Sequence, residues 1–260
     1  MEIKPFKIRC SAIGNIMTGK IGLTEIQENR LNELNLKSKW TDKQLIERDN
    51  LLRKQNNTEL PETAKTYCKD WLKGQIYNRQ KEFSNKFTEK GNIMEDTSLD
   101  FIAKMLDLGM IIKNEQYFEN DFMQGTPDAI LPDMIIDVKN SWDCFTFPLF
   151  DTEIENNSYF YQLQGYMHLT DKKSAKLIYC ITDTPENLIE RECKYWCLKN
   201  GYEMDIDIYN QFYEKMTYSD IEDRFKIKIF DIDYDKTVID SIIERVKLCR
   251  NYIETLIKTL

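Results

Sequence analysis

The sequence predicts an α/β fold, with a mixed central sheet flanked by helices and an N-terminal helical elaboration. Apolar runs of strand length at 134–140 and 175–181 are one sign. Apolar residues at helical spacing between and after them are another. The third is size: 260 residues, 42% hydrophobic and 12% aromatic, suffice for one sizeable core.

The elements follow in order. Thr24-Glu25-Ile26-Gln27 and Thr41-Asp42-Lys43-Gln44 are Thr-x-x-Gln capping boxes, each ahead of an amphipathic stretch, 26–36 and 45–52, and together they predict a helical hairpin. A polar loop, Gln55-Asn56-Asn57-Thr58, leads to Pro61 at the start of a helix reaching about Tyr77. Gly91-Asn92-Ile93-Met94-Glu95 opens a helical pattern to about Leu108, with Glu95 in its first turn or two, where a carboxylate suits the helix dipole. Strands are expected at 115–122, 126–131 and 134–140, then a helix at 158–169 and a buried strand at 175–181. Lys194-Tyr195-Trp196-Cys197-Leu198 reads as another strand, and the run 225–230 alternates as a half-buried one. A last helix, 236–258, carries Val238, Ile242, Val246, Cys249 and Ile253 along one stripe. The division expected is 1–90 for the helical, basic elaboration and 91–260 for the core, within one continuous domain.

The chain has no apolar stretch near the roughly 18 residues of a membrane span, and Met-Glu-Ile-Lys-Pro has no signal-peptide character, so a cytoplasmic protein is expected. Seven scattered cysteines do not form a disulfide framework for a chain of this size. The single histidine, His168, excludes multi-histidine zinc centres and histidine-activated nucleophiles.

A net charge of −8 at first argues against a polyanionic partner. Its distribution reverses that reading: residues 1–91 carry 18 Lys and Arg against 12 Asp and Glu, and the remainder 18 against 32. Lys65, Lys69 and Lys73, four apart and interleaved with Trp71 and Tyr77, form a face able to follow a phosphate backbone.

The chemistry concentrates in Gly125-Thr126-Pro127-Asp128 and, nine residues after that aspartate, Asp137-Val138-Lys139 beyond the apolar Met134-Ile135-Ile136. Two carboxylates held beside a buried strand are costly unless a cation neutralises them. Hard oxygen ligands suit Mg²⁺ or Mn²⁺. Lys139 lies on the same side of the strand as Asp137, by the period of two, and can face the same centre. Glu95 adds a third carboxylate, and Gln162 and Tyr166, four apart on a helix, share one face. Each piece alone is ordinary: a solvated helix residue, a turn aspartate, an edge ion pair, core aromatics. Their order in one chain points to metal-dependent phosphodiester hydrolysis.

Glu95, Gly-Thr-Pro-Asp128, Asp137-Val-Lys139 and Gln162-x-x-x-Tyr166 together resemble the PD-(D/E)xK nucleases, in particular the RecB-like and lambda-exonuclease (YqaJ) branch, over roughly residues 90–183. The resemblance implies a restriction-endonuclease-like core and a 5′-3′ exonuclease acting on linear double-stranded DNA in phage-type recombination or end processing. It implies Asp128, Asp137, Glu95 and the Val138 carbonyl as ligands of one or two Mg²⁺ or Mn²⁺ ions, and Lys139 beside the attacking water. Gln162 or Gln164 would position the lysine or the DNA. Arg9, Ser11 and Thr126, with Tyr166 nearby, would form a 5′-phosphate pocket. A ring-shaped homotrimer and a single-strand annealing recombinase as partner are further implications. Two departures concern substrate detail: Asp137 replaces the family's glutamate, and Ser141 stands at its Cys-Pro turn. The alternatives are an endonuclease, an iron–sulfur RecB-like nuclease, whose usual late C-x-x-C spacing Cys193-x-x-x-Cys197 and Cys249 do not reproduce, and a catalytically weak DNA-binding module of the same fold.

Overall fold

The computed structural model describes residues 3–19, 22–23, 25–55, 59–81 and 85–260. Thr24 of the first capping box and Asn56-Asn57-Thr58 of the polar loop lie outside the described residues. In chain order the elements are β1 (Ile8–Arg9), a 3-10 turn (Cys10–Ala12), α1 (Ile13–Met17), α2 (Glu25–Asn35), α3 (Asp42–Gln55), α4 (Glu62–Tyr77), α5 (Lys86–Leu106), β2 (Phe118–Glu119), β3 (Met123–Gly125), β4 (Ala129–Ile130), β5 (Met134–Asn140), α6 (Asn157–Thr170), β6 (Ser174–Cys180), α7 (Glu186–Asn200), α8 (Ile206–Met216), β7 (Ile227–Asp233) and α9 (Lys236–Ile257).

The run 134–140 becomes an interior strand because it is apolar enough to be covered on both faces. The main sheet has the order β4-β5-β6-β7. Strand β5 is antiparallel to β4 and parallel to β6, with Asp137 opposite Leu177 and Lys139 opposite Tyr179, and β6 is antiparallel to β7. The parallel pair requires a crossover, which α6 provides. This is the mixed, helix-flanked sheet expected from the sequence.

Alternation divides β5 between two cores. Ile136 and Val138 pack with Leu99, Ile102 and Ile178 on the α5 side. Ile135 packs with Leu163, Met167 and Leu177 on the α6 side, in a cluster that also takes in Phe6, Ile8, Ile13, Cys68, Ile242 and Val246. The N-terminal segment thus shares the main core. Strand β1 adds parallel to β3 in a second sheet of order β1-β3-β2, and the 90/91 boundary falls inside α5.

Two departures from expectation have physical causes. The expected strand 194–198 is part of α7: Pro185 precedes the first turn, Leu188, Ile189, Cys193 and Cys197 form the buried stripe, and Gly201 closes the helix at φ 74°. Helical periodicity overrides the β-propensity of the Tyr-Trp-Cys run. Helix α5 begins at Lys86, where Asn85 and Thr88 form a reciprocal capping box. Glu95 is consequently the tenth residue of its helix, beyond the reach of the N-terminal dipole.

Candidate active site

Asp128 reaches the site through a break in strand pairing. Strand β4 opposes β5 only at Ala129–Ile136 and Ile130–Ile135. Ahead of it, Pro127 has no N–H to continue the ladder. The Asp128 carboxylate instead accepts from Val138 N at 2.7 Å, and Asn114 Nδ2 donates to Pro127 O at 3.0 Å. A buried backbone donor that would otherwise be unpaired thereby holds Asp128 against the strand bearing Asp137 and Lys139.

Asp137 is fully buried on the α6 face. Its Oδ1 accepts from Gln162 Nε2 at 3.0 Å, and the same amide lies 3.2 Å from Tyr166 Oη. Its Oδ2 stands 2.6 Å from Lys139 Nζ as an ion pair, yet makes no aligned hydrogen bond among the described residues. The ammonium of Lys139 also lies 4.8 Å from the centre of the Tyr159 ring.

The electrostatics follow from this crowding. Burial, reinforced by Asp137 and Glu95, pushes the Asp128 carboxyl up to about 7 against the opposing pull of Lys139 and Val138 N. Burial works against the charge of Lys139, but Asp137 and Asp128 outweigh it and hold the ammonium at about 12. In the metal-free state Lys139 is therefore a cation, not a base.

Glu95 reaches the same field from α5, yet its Oε2 is held at 3.0 Å by Lys113, which also lies 4.0 Å from Asp96 Oδ1. Among the described residues no three metal-ligating side chains converge as they stand. The donor set nonetheless fits a hard divalent ion: a buried carboxylate oxygen without an aligned donor, a second carboxyl whose charge is disfavoured, and a third held by an ammonium.

The structure brings together Glu95, Asp128, Asp137, Val138, Lys139, Gln162 and Tyr166. It places Gln164 elsewhere. The Gln164 amide donates to Asp233 O at 2.7 Å and accepts from Asp235 N at 2.8 Å, so both ends are used in fastening β7 and α9 to α6. Two residues along a helix turn a side chain through roughly 200°, which sends Gln162 and Gln164 to different faces. Arg9 lies in β1, where it pairs with Gln124, and Thr126 follows directly on β3. Arg9, Ser11 and Thr126 are all exposed. Gly125 permits the close approach of Tyr166: a Cβ there would fall 2.7 Å from Tyr166 Cε1. Of the lysines on α4, Lys65 pairs with Glu62 at 3.0 Å and Lys73 with Asp70 at 3.8 Å, while Lys69 is exposed. Lys113, absent from the sequence-based set, has no periodic or motif signal; only its tertiary position reveals it.

Cys193 and Cys197 face each other on α7, whereas Cys249 of α9 meets Cys68 of α4. Of the described helices, none is long and apolar enough to cross a membrane.

No protein-family model and no curated protein matches the chain. Solved structures do. A phage-related exonuclease from Haemophilus somnus 129PT superposes with a TM-score of 0.71 at 24% identity, over 98% of this chain and 97% of that one. The alkaline exonuclease LHK-Exo from Laribacter hongkongensis superposes at 0.55 and 12% identity, over 97% and 90%. Its complex with dAMP gives 0.55 at 14% identity over the same shares. The chain therefore has the fold of these exonucleases, a restriction-endonuclease-like α/β core.

Proposed function

We propose that the protein is a Mg²⁺-dependent exodeoxyribonuclease that hydrolyses linear double-stranded DNA, proceeding 5′ to 3′, in phage-type recombination or DNA end processing. The observation that carries this is the buried Asp137 carboxylate, one oxygen held by Gln162 and the other facing Lys139, beside an Asp128 whose own charge is disfavoured. The shared fold with exonucleases, one of them described in complex with dAMP, supports a nucleic-acid substrate.

Asp128, Asp137, Glu95 and the Val138 carbonyl would hold one or two Mg²⁺ or Mn²⁺ ions. Bound there, the metal would supply Lewis-acid stabilisation of phosphoryl charge and an acidified water. The protein contributes orientation and charge. Gln162 fixes the Asp137 rotamer, and Val138 N fixes Asp128. Lys139 places a positive charge where negative charge grows on the phosphoryl oxygens, and becomes able to accept a proton from water only once the neighbouring acids are neutralised. Arg9, Ser11 and Thr126 are suited to a terminal 5′-phosphate, because a guanidinium and hydroxyls grip it by charge-assisted hydrogen bonds. Lys65, Lys69 and Lys73 would follow the duplex. A homo-oligomeric ring and an annealing recombinase partner belong to the same reading.

The test is digestion of a linear duplex with each 5′ end phosphorylated or left as hydroxyl, beside a covalently closed circle, with Mg²⁺ and with chelator. Faster loss of the 5′-phosphorylated duplex, with that preference reduced in Arg9→Ala, is the expected result. Rapid nicking of the circle would make the enzyme an endonuclease. Absence of hydrolysis by the folded protein with Mg²⁺ or Mn²⁺ would leave a DNA-binding module.

A further inference from the structure

We propose that Lys113 is a displaceable resident cation of the site: it holds Glu95 until a divalent ion takes its place, and then turns to a phosphate of the substrate. The inference rests on the nuclease reading above and adds a residue to it. Lys113 is anchored next to the catalytic loop. Its backbone bridges to Ala129, the residue after Asp128, while Asn114 N donates to Asp128 O at 2.7 Å. The root of the side chain is thus fixed at the site, and its tip is not enclosed. Side-chain exposure is 39% for Lys113 and 20% for Glu95.

Charge explains why a cation rests there. Asp128 lies in the fields of both Asp137 and Glu95, and of these three carboxylates Lys139 answers Asp137 directly. Lys113 answers a second: Glu95 Oε2 holds its ammonium in an ion pair at 3.0 Å, and the fields of Asp96 and Asp128 add to this. A partly exposed lysine pair is weak, so a dication that also engages Asp128 and Asp137 displaces it. A single flexible ammonium releases more readily than the planar, two-pronged guanidinium of arginine. Once freed, Lys113 remains at the mouth of the site, where the next negative group to arrive is a DNA phosphate.

The mechanism makes two substitutions act in opposite directions. Calorimetric titration of DNA-free protein with Mg²⁺ should give binding about threefold or more tighter for Lys113→Gln and weaker for Lys113→Arg, relative to wild type. Duplex binding, measured with Ca²⁺ in place of Mg²⁺, should lose about one unit of its log-log salt slope in Lys113→Gln and retain it in Lys113→Arg. Equal or weaker Mg²⁺ binding by Lys113→Gln overturns the resident-cation role, and an unchanged salt slope overturns the phosphate role. If wild type neither binds Mg²⁺ nor hydrolyses DNA, the nuclease reading falls together with this one. If wild type does both and Lys113→Gln matches it in both measurements, this proposal alone falls.

Discussion

Gln162 donates through Nε2 to Asp137 Oδ1 at 3.0 Å, joining the crossover helix to the central strand at the charged end of the site. The bond fixes which oxygen of Asp137 remains available. Gln162→Leu should keep the fold and lower kcat by about 10- to 100-fold by loosening that carboxylate. Steady-state kinetics with a thermal melt checks this. Loss of folding, or activity at the wild-type level, would contradict a positioning role.

Gln164→Leu should behave in the opposite way. It leaves Asp233 O and Asp235 N without their partners, at a cost of about 1–3 kcal/mol each where they stay buried. Denaturant unfolding should report the loss, while the folded fraction retains its activity.

Asp128→Asn should abolish Mg²⁺-dependent hydrolysis, by about 10³-fold or more. The same change should stabilise the metal-free protein above neutral pH. The Asp128 carboxyl titrates near 7 when folded and near 4 when unfolded, so the folded state binds the extra proton between those values and wild-type stability falls as pH rises from about 4 to 7. Subtracting the Asp128→Asn unfolding profile from that of wild type isolates this slope.

Lys90 supplies a second pH signature, with the opposite sign. It is fully buried, donates to Trp142 O at 3.0 Å, and burial lowers its ammonium to about 8 despite Asp143 and Asp183. Between about 8 and 10.5 the unfolded chain binds more protons, so stability attributable to Lys90 rises with pH across that window. Lys90→Met should remove the rise, a difference of roughly 3 kcal/mol at most. Identical pH profiles for the two proteins would mean that Lys90 keeps its charge.

The α4 lysines can be tested by salt. Lys65 and Lys73 already have carboxylate neighbours in Glu62 and Asp70, so DNA must compete for them. Replacing Lys65, Lys69 and Lys73 together should reduce the log-log salt slope of binding by about one to three units, with at least one from Lys69. An unchanged slope would assign all three to ordinary surface.

What the sequence revealed tracks how local each relationship is. Asp128 immediately precedes β4, and Asp137 and Lys139 lie on its antiparallel partner β5, so a span of twelve residues contains both the geometry and the reason for it. Glu95 lies on the expected helix but beyond its first turns, because Asn85, farther upstream than the apolar pattern begins, sets the start of α5. Lys113 could not be read at all. The irregular stretch between α5 and β2 has no periodicity, and its side chain gains meaning only when Asn114 docks against the Asp128 loop. The two glutamines share a helix, and only the packing of α6 between β5 and α9 decides which of them faces the acids. Helix α8 is absent from the expected elements although its signs are local: Asp205 is an N-cap, and Tyr209, Phe212 and Met216 recur at helical spacing on the face that packs against α7 and Trp142.

The fastening of β1 and α1 by the last helix has a consequence for the order of events during synthesis. Arg245 of α9 donates to Ile16 O and Gly19 O, and Arg250 donates to Phe6 O and Asp121 O. These contacts span more than two hundred residues of chain for the N-terminal segment, which in turn seats Cys10 and Ile13 against Gly165 of α6. A chain still on the ribosome, with α9 inside the exit tunnel, lacks the clamp that holds its own first strand. The first strand and the turn after it are therefore clamped only after translation has passed α9, so the packing of Cys10 and Ile13 against α6 is among the last parts of the fold to be secured.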